Sequence, residues 1–268
     1  MALSAAEPES AWRVLPELQR ACQEGRLALF LDFDGTLAPI RDHPDEVRLE
    51  EGLKQALAQA ARRCFVAIVS GRDLADLEAR IGLAELCYAG SHGFEIRGPN
   101  GLRHEFGEQA VAALDRFEPE LRTALAGLCR VWVERKRYAL AVHLRRARKA
   151  EAETAAARVR ALAADQPELT LSSGKKVLEI RPRAPWHKGA AVLWLLDHLG
   201  DPQRLPVFIG DDITDEDAFR SLEGKGVTVL VAEEDRPTRA RYRLSDPGEV
   251  ARFLRALIAD CTAEPAGP

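Results

Sequence analysis

Leu27-Ala28-Leu29-Phe30-Leu31-Asp32-Phe33-Asp34-Gly35-Thr36-Leu37 decides the fold. An unbroken apolar run of this length has no wet face, so it reads as a strand buried on both sides, as in a parallel sheet covered by helices. It ends abruptly in two carboxylates and a glycine. Outward from it, residues 51–63 have helical spacing and lead into a second apolar run over 64–69. Residues 73–82 read as a further helix and 86–89 as a third, shorter strand. Late in the chain a helical segment over 188–199 precedes the run at 206–209, and a helix over 215–222 separates that run from 227–231. Repeated β-α alternation predicts an α/β core, a Rossmann-like parallel sheet with helices on both faces.

The middle of the chain follows another rule. Residues 109–128 are Ala/Leu-rich and helical, followed by paired strands at 131–133 and 139–144; 147–164 repeat the helix, and 169–171 and 177–180 repeat the strands. Ser173-Gly174 supplies the turn of the second pair. Val142-His143-Leu144-Arg145 echoes Leu178-Glu179-Ile180-Arg181, so His143 and Glu179 are expected at equivalent positions, as are Arg145 and Arg181. A duplicated unit, αββαββ, inserted into the core is the simplest organisation: core 1–101, insert 102–181, core again 182–268. Alternation along the strands gives the insert one face for its helices and one without them.

Composition removes several function classes. The chain has 268 residues, 46% hydrophobic and 30% charged, enough to bury a core and unlike a disordered regulator or a disulfide mini-domain. The longest apolar stretch, 190–196, falls far short of the roughly 20 residues that cross a bilayer. Glu7 and Glu9 stand where a secretory signal would carry positive charge, so a cytoplasmic protein with no membrane contact is expected. Net charge is −4 with both signs interspersed, which speaks against sequence-independent nucleic-acid binding. The cysteines (Cys22, Cys64, Cys87, Cys129, Cys261) contain no C-x-x-C pair and read as small hydrophobes in a reducing compartment. No G-x-x-x-x-G-K-[ST] loop occurs. Residues 1–24 look amphipathic around 12–18, and the tail 261–268 is expected to fray.

The chemistry concentrates where apolar runs end, which is where α/β sheets bind ligands. Asp32 and Asp34, two residues apart, can project to one side, with Gly35 allowing a tight turn. The second strand ends in Ser70-Gly71-Arg72, a hydroxyl and backbone donors, although a serine there also suits a helix N-cap. Trp186-His187-Lys188-Gly189 puts a lysine at a helix start. Gly210-Asp211-Asp212-Ile213-Thr214-Asp215-Glu216-Asp217 adds carboxylates at another strand end, partly explained by a capping box between Thr214 and Asp217. Converging carboxylates repel: two charges about 4 Å apart cost roughly 4 kcal/mol at an effective dielectric of ~20. They can converge where a cation or a proton intervenes, and an all-oxygen set with no His or Cys partner points to Mg²⁺ rather than zinc. Mg²⁺ with one lysine complements a phosphate dianion.

These ordered motifs resemble those of the haloacid dehalogenase superfamily of aspartate-nucleophile phosphatases and, within it, the trehalose-phosphatase family. The resemblance rests on Asp32-Phe33-Asp34-Gly35-Thr36-Leu37-Ala38-Pro39-Ile40, Ser70-Gly71-Arg72, Gly90-Ser91-His92-Gly93-Phe94-Glu95 and 210–217, and in the insert on Glu134-Arg135-Lys136, His143-Leu144-Arg145 and Val177-Leu178-Glu179-Ile180-Arg181-Pro182. It covers about 27–257. Ser91, Phe94 and Leu144 depart from the family pattern. The resemblance implies hydrolysis of trehalose 6-phosphate through an aspartyl-phosphate on Asp32, with Asp34 as acid and then base. It implies Mg²⁺ held by the carboxylates of Asp32 and Asp211 and by the Asp34 carbonyl. Ser70 and Lys188 would hold the phosphoryl oxygens with Gly71 and Arg72 beside them, and Asp212 and Asp215 would support. Asp215 reads equally as an orienting group and as a helix cap. Sugar recognition falls to Glu134, Lys136, His143, Arg145 and Glu179 in the insert; His92 and Glu95 contact the sugar or hold a loop. The expected partners are the phosphorylated disaccharide and, functionally, a trehalose-6-phosphate synthase; a monomer is expected. The rival expectations are another capped sugar phosphatase (for sucrose-phosphate, mannosyl-3-phosphoglycerate or a hexose phosphate) and a non-catalytic phosphosugar sensor or synthase regulatory subunit.

Overall fold

The computed structural model describes residues 7–41, 43–106, 108–174 and 176–259; the tail over 261–268 lies outside them. The chain divides into two compact units, Met1–His104 with Trp186–Pro268, and Glu105–Pro185.

In the first unit the chain runs β1 (Glu9–Ser10), α1 (Leu15–Gln23), β2 (Leu27–Leu31), α2 (Glu51–Ala61), β3 (Phe65–Val69), α3 (Leu74–Ile81), β4 (Cys87–Gly90), β5 (Glu95–Arg97) and β6 (Arg103–Glu105). After the insert come α6 (Lys188–Leu199), β11 (Leu205–Gly210), α7 (Glu216–Ser221), β12 (Val227–Val231), β13 (Tyr242–Leu244) and α8 (Pro247–Ala259). The sheet order is β1-β13-β12-β11-β2-β3-β4-β5-β6, parallel from β1 to β4 with β5 antiparallel to β4. Alternation sorts each central strand between two cores. Leu27, Leu29, Leu31, Ile68 and Ile209 point into one with the residues of α1, α2 and α8; Ala28, Phe30, Val69 and Phe208 point into the other with α6 and α7. Both faces are thus dry, as the apolar runs require. The amphipathic N-terminal segment belongs to this unit: Leu18, Ala21 and Cys22 are buried, and Trp12 donates to Glu249 at 2.8 Å and meets the Phe253 ring edge-on at 5.4 Å.

The second unit runs α4 (Glu108–Leu125), β7 (Trp132–Lys136), β8 (Ala139–His143), α5 (Lys149–Ala164), β9 (Leu169–Gly174) and β10 (Val177–Pro182). Its sheet order, β7-β8-β10-β9, brings the two hairpins together through β8 and β10. Leu140, Val142, Leu178 and Ile180 face α4 and α5 in a core of their own. The unit begins and ends a few residues later than the expected 102–181. Arg103 and His104 extend the large sheet through β6, while Arg183 is tied to the insert by hydrogen bonds to Glu168 and Leu169. Among the described residues no helix is long and apolar enough to cross a membrane, and Cys22, Cys64, Cys87 and Cys129 form no disulfide.

Candidate active site

Three adjacent strands and one helix build the site. Asp32 follows β2 directly, and its backbone N–H donates to Ile209 O of β11 at 2.9 Å, so the two strand ends are locked side by side. The chain then doubles back: Gly35 N–H donates to Ala38 O at 2.7 Å, and Leu37 and Ala38 N–H both reach Phe33 O. Gly35 makes this turn at φ +87°, and a Cβ there would lie 2.3 Å from Asp211 Oδ2. Only glycine combines that backbone with so close an approach. Ser70 ends β3, and Lys188 opens α6, whose N-cap is His187. The Lys188 ammonium donates to Asp32 Oδ1 at 2.7 Å and to Asp215 Oδ1 at 2.6 Å. Asp215 Oδ2 accepts from Asp212 N–H at 2.8 Å, so this carboxylate both orients the lysine and caps the short helical turn, uniting the two sequence readings. Asp212 Oδ1 accepts from Ile213 N–H in the same box.

Burial makes this cluster electrostatically unusual. Lys188 is 2% exposed and Asp215 0%. Burial opposes the charge on Lys188, yet Asp215 and Asp32 outweigh it and hold the ammonium well above the ordinary lysine range. Asp32 goes the other way: burial, helped by the charges of Asp215 and Asp211 and only partly offset by Lys188, pushes its carboxyl well above the usual carboxylate range. Asp32, Asp211 and Asp215 each bring one oxygen within 4.8 Å of the others, three carboxylates against one ammonium. A hard divalent cation fits this donor set. Asp215 places one oxygen on Lys188 and the other on the Asp212 N–H.

Asp34 is held differently. Arg72 grips it with a two-pronged fork, Nε to Oδ2 at 2.6 Å and Nη2 to Oδ1 at 2.7 Å. Arg72 also donates through Nη1 to Asp76 Oδ2 at 2.7 Å, so the guanidinium expected beside the phosphate is committed to carboxylates of its own chain. The Ser70-Gly71-Arg72 segment is clamped by the turn after β4. Ser91 N–H donates to Arg72 O at 2.7 Å and His92 N–H to Ser70 O at 2.8 Å. Ser91 and His92 both sit in the left-handed region, φ 50° and 59°. The His92 ring lies against Gly71, where a Cβ would come within 2.9 Å of it. His92 is buried in this turn, and Glu95 is buried in β5.

In the insert, Glu134, His143 and Glu179 share the sheet face opposite the helices. Glu134 and Glu179 flank Ala141, and His143 stands two residues on. His143 Nε2 is 2.6 Å from Glu134 Oε2, Lys136 Nζ is 3.4 Å from Glu179 Oε1, and Arg181 Nε is 3.6 Å from Glu179 Oε2. Trp132 stacks on His143 with ring centroids 4.2 Å apart. Arg145 departs from the expected symmetry with Arg181. Strand β8 ends at His143 and the chain turns, Leu144 N–H reaching Lys176 O and Ala147 N–H reaching Leu144 O, so strand alternation stops short of Arg145.

The trehalose-phosphatase family pattern matches residues 30–248, from the strand that precedes Asp32 to the start of α8. The chain belongs to the trehalose-phosphatase family. A trehalose-phosphate phosphatase of Mycobacterium marinum is 43% identical over 242 residues, covering 87% of this chain and 62% of that protein. The chain therefore spans 62% of the length of that relative. Among solved structures, the C-terminal domain of a C. albicans trehalose-6-phosphate phosphatase shares the fold with TM-score 0.81 at 24% identity, covering 96% of this chain and 99% of that one. The Aspergillus fumigatus trehalose-6-phosphate phosphatase follows with TM-score 0.63 at 29% identity, covering 94% and 98%.

Within this site two residues escaped the sequence reading. Thr36 is buried with Oγ1 3.5 Å from Asp211 Oδ1; its place inside the first motif was the available signal. Arg236 donates to the backbone oxygens of Asp211 (3.1 Å) and Asp212 (3.4 Å) and pairs with Glu216 at 3.4 Å. It lies in a charged loop with no pattern of its own, so only the tertiary fold reveals it.

Proposed function

We propose that this chain is a Mg²⁺-dependent phosphatase that hydrolyses trehalose 6-phosphate to trehalose and phosphate, the last step in making trehalose. The observation that carries the reading is the buried Asp32–Lys188–Asp215 group beside Asp211 at the carboxyl ends of β2 and β11, in a member of the trehalose-phosphatase family. An uncompensated excess of buried carboxylate is costly to build, and a polyanionic cradle around one lysine is suited to a cation and a phosphate.

An Asp32 carboxylate oxygen attacks phosphorus while the bond from phosphorus to the sugar oxygen breaks, and Asp34 gives that oxygen its proton. Water then attacks the aspartyl-phosphate, Asp34 takes the proton, and the phosphorus–oxygen bond to Asp32 breaks to restore the carboxylate. Mg²⁺, held by Asp32, Asp211 and the Asp34 backbone carbonyl, would supply positive charge where nucleophile and phosphate are both anionic. Ser70 and Lys188 hold the phosphoryl oxygens, with Gly71 kept bare by the nearby His92 ring. Asp215 keeps Lys188 charged and aimed, and Asp212 braces that box. Residues 105–185 act as the cap that reads the sugar, with Glu134, Lys136, His143, Arg145 and Glu179 offering acceptors and donors to uncharged hydroxyls. We place the reaction in the cytoplasm, and the enzyme works as a monomer supplied by a trehalose-6-phosphate synthase.

The test is phosphate release from trehalose 6-phosphate, sucrose phosphate and hexose phosphates, each with Mg²⁺ and with excess chelator. Release that is fastest with trehalose 6-phosphate and stops with chelator is expected. Equal rates across the panel would remove the substrate assignment, and no release from any would remove the enzyme.

A further inference from the structure

We propose that Arg72 is a positioning residue that fixes the Asp34 carboxylate, and that Asp76 and Arg80 lock Arg72 in that pose. The inference rests on the reading of Asp34 as acid and base.

The fork between Arg72 and Asp34 joins the ends of β3 and β2 across 38 residues of sequence. Two parallel hydrogen bonds fix both the direction and the plane of a carboxylate, which a single contact cannot do. The arginine is itself constrained on every side. Its third donor reaches Asp76 one helical turn onward, and its guanidinium carbon lies 5.5 Å from the centre of the Phe33 ring. Asp76 in turn takes Arg80 Nε on both oxygens, at 2.8 Å each, a further turn along α3. Arg80 ends the chain on the Val47 carbonyl at 3.0 Å. Arg72 and Arg80 side chains are each 10% exposed, whereas Asp34 is 34% exposed. Rigidity is thus passed from helix α3 to a carboxylate that stays partly open to solvent. A surface ion pair has no need of such backing, and a phosphate ligand would need free donors facing the substrate.

The deciding variant is Arg72→Lys, which keeps the charge and loses the fork. On trehalose 6-phosphate kcat should fall roughly 10- to 100-fold, the cost of a slightly misplaced reacting group, while KM stays within about threefold of wild type. An aryl phosphate needs no proton on its leaving group, so its first half-reaction is spared. Rapid-quench measurement should then show a burst of the aryl alcohol approaching one per enzyme, larger than in wild type, followed by slow turnover. Asp76→Asn should move the same parameters in the same direction by roughly 3- to 10-fold. A rise in KM with unchanged kcat would make Arg72 a substrate contact and overturn the proposal, as would equal losses on both substrates without a burst. Should Arg72→Lys melt below the assay temperature, Asp76→Asn with a wild-type melting curve decides by the same burst. A wild-type protein inactive on both substrates removes the phosphatase reading itself, and that result is visible before any variant is made.

Discussion

Lys188 in the core and Lys136 in the insert each pair with a carboxylate, under opposite conditions. The Lys188 ammonium is out of contact with water and shared between two buried aspartates at 2.7 and 2.6 Å. Lys136 sits on a half-exposed ribbon, 3.4 Å from Glu179, beside a histidine and a second glutamate on the same face. Removing a buried charge from water is expensive and demands fixed partners; a half-exposed pair contributes little and gives way easily. The core thus holds fixed, buried charges around Asp32, whereas the insert carries polar groups that pair with one another on one sheet face.

The sharpest way to break this contrast is Asp32→Asn. Phosphate release should drop by at least roughly 10³-fold, as expected for loss of a nucleophile, with an unchanged melting profile because Lys188 keeps Asp215. Near-normal turnover would place the chemistry elsewhere. Next comes stability: Asp215→Ala takes from the buried Lys188 one of its two carboxylates and from the Asp212 N–H its acceptor, and should cost about 3–5 kcal/mol in denaturant melts, whereas Glu134→Ala should cost about 1 kcal/mol or less. Comparable losses in the two variants would erase the distinction between the regions. Glu179→Ala should leave stability alone and slow trehalose 6-phosphate turnover roughly 10- to 100-fold, the value of a hydrogen bond to a charged group, with little change on a small aryl phosphate. Equal slowing on both substrates would argue against sugar reading by the insert.

The smallest effect lies between the two regimes, at Asp76. Burial opposes its ionisation, but hydrogen bonds from Arg80 and Arg72 prevail and hold its carboxyl below the ordinary value of 3.8. A lowered folded-state pKa means the stabilisation is present above pH 3.8 and is lost as pH falls through the folded value. Acid melts below pH 4 should show Asp76→Asn losing less stability than wild type over that window. Identical acid limbs would mean that the ion pairs with Arg72 and Arg80 stabilise nothing.

Much of the core was legible because its strands are continuous apolar runs. β2, β3, β11 and β12 emerge from pattern alone, and the residues just beyond three of them are Asp32, Ser70 and Asp211. The short strands toward the two ends of the sheet, β1, β13, β5 and β6, were not, since two or three residues carry no periodicity and pair only because a sheet is already there. The insert's alternation placed His143 and Glu179 on one face, where the strand pairing also sets Glu134, and it failed at Arg145, where a turn replaces the strand.

By itself the sequence determined which residues end the strands, and therefore that acidic groups, a serine and a lysine gather at one edge of a parallel sheet. Alternation and burial are local properties, readable from neighbours along the chain. Only the tertiary structure decided how those groups share one another: that Asp215 takes Lys188, that Arg72 grips Asp34, and that Arg236 reaches the Asp211 carbonyl. Hydrogen-bond partners 25 to 175 residues apart are selected by distance and direction in space, and no pattern along the chain encodes either.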